Sequence, residues 1–175
     1  MLVIADQVGP QAVAGVMGGA ASEVKASTKR VTLESAYFEP RSIRRTSKQL
    51  GLSTEASYRF ERGTDIEAPL RAMLRAQQLL KEIGACTSWS AILDHYPVKH
   101  IRPSVPLRHA RIKRVIGIDI KSSFVLNTLK QLGFDVTATN QSGAQLEWSV
   151  EVPTHRVDVS REIDLIEEIV RHHGY

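Results

Sequence analysis

Apolar positions along the chain change rhythm near its middle. In the first half, Leu2, Val3, Ile4 and Val8 predict a strand over 2–8, followed by a Gly9-Pro10 turn. Residues 12–21, rich in Ala and Gly, fit a strand and turn where backbones approach closely. Residues 31–38 (VTLESAYF) combine β-branched and aromatic side chains and predict a strand, interrupted by Glu34. Pro40 suits a helix first turn, and Gly51 a helix end, so 41–50 reads as a basic helix. Residues 54–63 show no clean period and read as an ordered loop or short strand. Leu70, Met73, Leu74, Leu80 and Ile83 form a helical stripe over 66–83, closed by Gly84, and 88–96 reads as another strand.

Pro97, Pro103 and Pro106 mark a domain boundary, so the division expected is 1–98 and 99–175. Beyond it, helices are predicted over 108–116, ended by Gly117, and over 122–132, capped by Ser122 or Ser123 and ended by Gly133. Phe134, Val136 and Ala138 alternate, as do Leu146, Trp148, Val150 and Val152 across a turn at Asn140–Gly143, which predicts a hairpin. Ser160 would cap a last helix running through His172. Helix, helix, hairpin, helix suggests a winged-helix-like unit. The fold class expected is α+β: a partial mixed α/β domain, then the winged-helix-like one.

Composition narrows this little. In 175 residues, 42% are hydrophobic and 24% charged, as in ordinary globular chains. The net charge of +4 permits a polyanionic partner without requiring one. The single cysteine, Cys86, forms no intrachain disulfide and fits a reducing compartment. No apolar run is long enough to span a membrane. The start lacks the basic n-region of a signal peptide, and opening within a strand pattern suggests a fragment.

Several constellations bear chemistry. Asp164, Glu167 and Glu168 lie three and four apart, hence on one helix face, with Asp158 just before the helix. Oxygen-only ligands suit a hard cation, Mg²⁺ before Ca²⁺, but spacing alone favours a solvated acidic face. Glu34 either points out of a half-exposed sheet or, if it follows Phe38 by alternation, points inward. Gly15, Gly18 and Gly19 match no Walker A loop and no clear dinucleotide fingerprint. Two basic stretches, Arg41–Lys48 and Lys99–Arg114, and the alternation of Tyr58 and Phe60 with Arg59 and Arg62, fit base stacking or phosphate binding as well as plain solvation. There is no Gly-x-Ser-x-Gly elbow and no zinc-type histidine pair.

Three stretches together, GPQAVAGVMGG (9–19), LESAYFEPRSIRRT (33–46) with TEASYRFERG (54–63), and EIDLIEEIVRHHGY (162–175), resemble the β subunit of bacterial phenylalanyl-tRNA synthetases. The resemblance covers nearly the whole chain. It implies that residues 1–98 are the second half of an editing domain hydrolysing Tyr-tRNA-Phe, followed by a helix-turn-helix-like domain. It implies that Glu34, Thr54, Ala56 and, less directly, Gly18 belong to the editing pocket. Asp158, Asp164, Glu167 and Glu168 would be Mg²⁺ ligands of a site shared with the α subunit. The family's enzyme is a cytoplasmic (αβ)₂ tetramer that charges tRNA-Phe with phenylalanine using ATP, at a site on α. No catalytic residue is therefore expected here, and the chain alone is expected to be inactive. Val157 stands where the family commonly has Phe or Pro, and His155 is unusual. The competing expectation is a non-enzymatic winged-helix module that binds nucleic acid through residues 99–114.

Overall fold

A computed structural model describes residues 1–140 and 146–174, which form two compact units, Met1–Tyr96 and Pro97–Tyr175. The architecture is α+β. In the first unit, β1 (Val3–Ala5), β2 (Pro10–Val13) and β3 (Met17–Gly18) make an antiparallel sheet in the order β1-β2-β3. The strand expected over 2–8 is shorter, because the Asp6 carboxylate accepts the Val8 and Gly9 N–H groups and turns the chain.

Helix α1 (Pro40–Leu50) follows the sequence signals. The Glu39 carboxylate accepts from the Arg41 and Ser42 N–H groups, and Gly51 closes the helix in the left-handed conformation. Residues 54–63 instead contain helix α2 (Glu55–Phe60). The overlooked signal is a reciprocal cap: Thr54 Oγ1 accepts from Ser57 N at 3.1 Å, and Ser57 Oγ accepts from Thr54 N at 2.9 Å. Helix α3 (Ala68–Glu82) is present but buries no residue; Leu70, Leu74 and Ile83 are exposed, so the expected inward stripe has no core beneath it.

The strands expected over 31–38 and 88–96 are irregular chain. β-propensity makes a strand only where another strand offers an open ladder, and no described strand pairs with either segment. The core of this unit is small: Ala14, Val16, Phe38 and Ile43, with Ile4, Val13, Ala36, Leu52 and Phe60 packed against them.

The second unit has a larger core. Its sheet has the order β4-β6-β5, from β4 (Ser104–Arg108), β6 (Glu147–Glu151) and β5 (Asp135–Asn140). Strand β4 lies within the proline-rich stretch. Val105 and Leu107 alternate inward while Pro106 points out on an edge strand, where its missing N–H costs no ladder bond. Register stacks Val105 and Val136 beside Val150, and Leu107 and Ala138 beside Trp148. The hairpin turn expected at 140–143 lies, apart from Asn140, outside the described residues.

Helices α4 (His109–Ile116), α5 (Ser122–Gln131) and α6 (Glu162–His173) cover the sheet with Ile112, Val125, Leu129, Leu165, Ile166 and Ile169. Neither expected serine cap forms. Helix α5 starts after Lys121 with no side-chain cap, and α6 starts after Arg161. There the Asp164 carboxylate, not Ser160, accepts the Ser160 and Arg161 N–H groups at 3.0 and 2.8 Å. No helix among the described residues is long and apolar enough to cross a membrane.

Candidate functional site

In the first unit, a cavity of about 210 Å³ opens between the small sheet and helix α2. That is below the ~300–1,000 Å³ of sites for drug-sized ligands and suits a single side chain. Residues 12–18, part of the run of small side chains noted above, line one side, and Glu34, Phe38, Ala56 and Phe60 also line the cavity. Three of the four pocket residues expected from the sequence, Gly18, Glu34 and Ala56, therefore line one cavity although 38 positions separate the outermost. Thr54 stands behind the wall: its hydroxyl donates to the Val16 carbonyl at 2.7 Å while capping α2. It holds the helix carrying Ala56 against the strand turn.

Glu34 reaches the cavity without the strand alternation that suggested it. The residue is exposed overall, yet desolvation of its carboxyl raises its pKa above the ordinary glutamate value. A Cβ on Gly18 would meet nothing within 4 Å, so backbone is all that this position presents. Sequence reasoning missed the aromatic floor. Phe38 and Phe60 meet edge to face at 5.0 Å, and Gly15, at φ +65°, allows both rings to close beneath the turn. Tyr58 is elsewhere occupied: the Arg62 guanidinium lies 3.4 Å over its ring. The stacking strand imagined from Tyr58 and Phe60 is thus a helix whose two aromatic rings have separate partners.

In the second unit the four acids do not converge. Arg156 binds both Asp158 oxygens, at 2.9 and 2.6 Å, and reaches Glu168 Oε1 at 2.9 Å. Glu168 is buried and also accepts from Arg171 at 3.0 Å. Asp164 is turned back onto the helix start, and Glu167 is exposed. The expected shared face thus spans from a buried edge to an open one. Among the described residues, no three His, Cys, Asp or Glu side chains group as a metal cage. Asp158 and Glu167 are the two exposed carboxylates of the set, and both Asp158 oxygens are taken by Arg156.

Electrostatics follow these contacts. The hydrogen bonds from Arg156 hold the Asp158 carboxyl below the usual range. Those from the Ser160 and Arg161 backbone do the same for Asp164. Burial pushes Glu162 up, but the hydrogen bonds from Arg108 outweigh it and leave a net lowering.

The basic stretch over 99–114 is largely neutralised within its own unit. Arg102 pairs with Asp135 and Glu151, Arg108 and Arg111 converge on Glu162, and Lys113 pairs with Asp119. This removes the main support for a nucleic-acid surface there.

Comparison with known proteins meets this geometry. Residues 1–85 match the B3/4 domain, and residues 105–175 match the tRNA synthetase B5 domain. The chain is 44% identical over 176 aligned residues to the phenylalanine–tRNA ligase β subunit of Syntrophus aciditrophicus, covering 99% of this chain and 22% of that protein. It is 44% identical to that of Salinibacter ruber, covering 99% and 20%. It is 46% identical to that of Gloeobacter violaceus, covering 95% and 20%. The chain spans about a fifth of the length of the relatives it matches. Over nearly its whole length, then, the chain belongs to the phenylalanine–tRNA ligase β-subunit family, with a B3/4 domain followed by a B5 domain.

Proposed function

We propose that this chain serves a phenylalanine–tRNA ligase by removing tyrosine wrongly attached to tRNA-Phe and by contacting the α subunit. ATP-dependent charging of tRNA-Phe with phenylalanine takes place on α, in a cytoplasmic (αβ)₂ assembly. The observation that carries the editing reading is the cavity uniting Gly18, Glu34 and Ala56. A charging pocket for phenylalanine cannot strongly reject a side chain that merely adds a hydroxyl. A second pocket that accepts a hydrogen bond from that hydroxyl can select the error, because phenylalanine leaves the acceptor unpaired. Glu34 is that acceptor, and the aromatic floor of Phe38 and Phe60 takes the ring. Hydrolysis then needs a positioned water on the ester and no side-chain nucleophile.

The test is deacylation of Tyr-tRNA-Phe by a ligase carrying this chain in its β subunit. Glu34→Ala will slow it roughly 10- to 100-fold, the worth of one charged hydrogen bond, without slowing phenylalanine charging. Unchanged deacylation would refute the assignment.

Mg²⁺ at the contact with α belongs to the same reading. Mg²⁺ is usually held by one or two carboxylates and keeps several waters. Glu167, and Asp158 once released from Arg156, would supply this chain's share, and the bound ion would neutralise acid at the contact. Asp158→Asn with Glu167→Gln will lower both the metal content of the αβ complex and its assembly, read by elemental analysis and light scattering. If both stay at the parent level, Mg²⁺ is not held here.

A further inference from the structure

Among the described residues of the first unit, Ser57 is the most enclosed polar one, at 1% exposure. It directly follows Ala56, which lines the cavity. A hydroxyl has one proton to give and two lone pairs to offer. Ser57 Oγ accepts the Thr54 N–H at 2.9 Å and donates to the Thr54 carbonyl at 3.1 Å, so it grips Thr54 by both main-chain groups. Thr54 Oγ1 in turn accepts the Ser57 N–H at 3.1 Å. Its own proton goes to the Val16 carbonyl at 2.7 Å rather than to Ser57 Oγ at 3.3 Å.

Capping a helix does not require this arrangement. An N-cap oxygen has only to accept, and the reciprocal partner is ordinarily a glutamate or glutamine. Here the partner is a buried serine, and the proton that the cap leaves over reaches 38 positions back along the chain. Its acceptor belongs to Val16, which is buried, lines the cavity and leads into Met17 and Gly18 on the same lining. Phe60 packs the far end of α2 against the core. The near end, with Ala56, is tied to the strand turn by a hydrogen bond whose donor Ser57 holds in place.

We infer that Ser57 is a positioning residue of the cavity. It orients Thr54 so that the Thr54 hydroxyl fastens the start of α2 to Val16 and fixes the width between Ala56 and Gly18. The inference rests on the proposed editing function in taking the occupant to be the tyrosine side chain of Tyr-tRNA-Phe. Ser57 acts without touching that side chain. A ring held loosely carries its ester away from the attacking water, so the loss falls on turnover.

The experiment follows deacylation of Tyr-tRNA-Phe by a ligase carrying this chain in its β subunit, over a range of substrate concentrations. Ser57→Ala will lower kcat ~10-fold, short of the ~100-fold that a 1 Å misplacement can cost. KM will stay within about twofold, because a site for one side chain carries little of the binding of a whole tRNA. Phenylalanine charging by the same preparations will match the parent, and thermal unfolding places the assay below the transition. Thr54→Val will cost about as much as Ser57→Ala, and the double variant no more than either alone. Independent roles would instead multiply to ~100-fold. Should Ser57→Ala fail to assemble, Ser57→Cys, close in size and only a weak donor, is read the same way. An unchanged kcat in the Ser57 variant, or losses that multiply in the double variant, overturn the inference. Glu34→Ala run alongside separates the two claims. If it slows deacylation and Ser57→Ala does not, only the positioning role fails. If Ser57→Ala slows it through Thr54 and Glu34→Ala does not, only the acceptor role of Glu34 fails.

Discussion

Replacing Arg156 with methionine will lower the unfolding free energy of the Pro97–Tyr175 unit by about 3 kcal/mol, at the lower end of what breaking a buried ion pair costs. Glu168 is the reason. It lies on the inward side of α6 at 5% exposure, beside residues that form the core, and Arg156 is its most buried cationic partner. Without Arg156 a carboxylate stays desolvated with only the half-exposed Arg171 to answer it. The same guanidinium lies 5.5 Å over the Phe134 ring, a further attraction that methionine replaces only in part. Urea unfolding at neutral pH reads the loss.

The pH dependence carries its own sign. Asp158 has a folded-state pKa below its unfolded value because of Arg156. Its contribution is therefore fully present above the ordinary aspartate value, and it disappears as pH falls through the lowered one. The methionine variant lacks that contribution, so its stability will fall less than the parent's over the same acid range. An unfolding free energy within about 0.5 kcal/mol of the parent's, the size of a neutral surface change, would remove Arg156 from this role.

Gly15→Val will destabilise the Met1–Tyr96 unit by about 3 kcal/mol and close the cavity. A valine at φ +65° meets the left-handed penalty of ~1–2 kcal/mol. Its Cβ would sit 2.8 Å from both Ile43 Cδ1 and Phe38 Cδ2 and 3.2 Å from Phe60 Cδ2. Overpacking of that kind adds ~1–3 kcal/mol. Phe38 and Ile43 are the two largest of the four buried side chains in this small core, so little else can yield. Gly18→Ala is the informative partner. Its Cβ meets nothing within 4 Å, so stability stays within about 1 kcal/mol while the cavity narrows. Thermal unfolding separates the two, and a Gly15→Val chain that melts with the parent would show that the turn and its rings are not packed as described.

Helix α1, with Pro40 inside its start and Gly51 at its end, was legible because both signals act locally. So were Trp148 and Val150 of the hairpin, whose alternation is itself the record of a buried face. Helix α2 was legible in principle, since Thr54 and Ser57 spell a reciprocal cap, but its six residues are too few for a hydrophobic period to emerge. Strand β4 hid behind Pro103 and Pro106, though Val105 and Leu107 kept the alternation. Residues 31–38 and 88–96 were misread because strand propensity says nothing about whether a partner edge exists.

The sites divide in the same way. By itself the sequence determined which residues carry chemistry: the acids near 158–168, Glu34 in an apolar setting, the glycine run and the two basic stretches. It determined the family too, since that likeness resides in long ordered motifs. Only the tertiary structure decided which of those residues meet. It folded Glu34, Ala56 and Gly18 around one cavity and seated Arg156 between Asp158 and Glu168. It matched the second basic stretch to acids while leaving that of α1 open. Identity and spacing are one-dimensional and fix what a side chain offers. Whether a charge is paired, or a carboxylate buried, depends on neighbours brought from far along the chain, and those neighbours are set by packing.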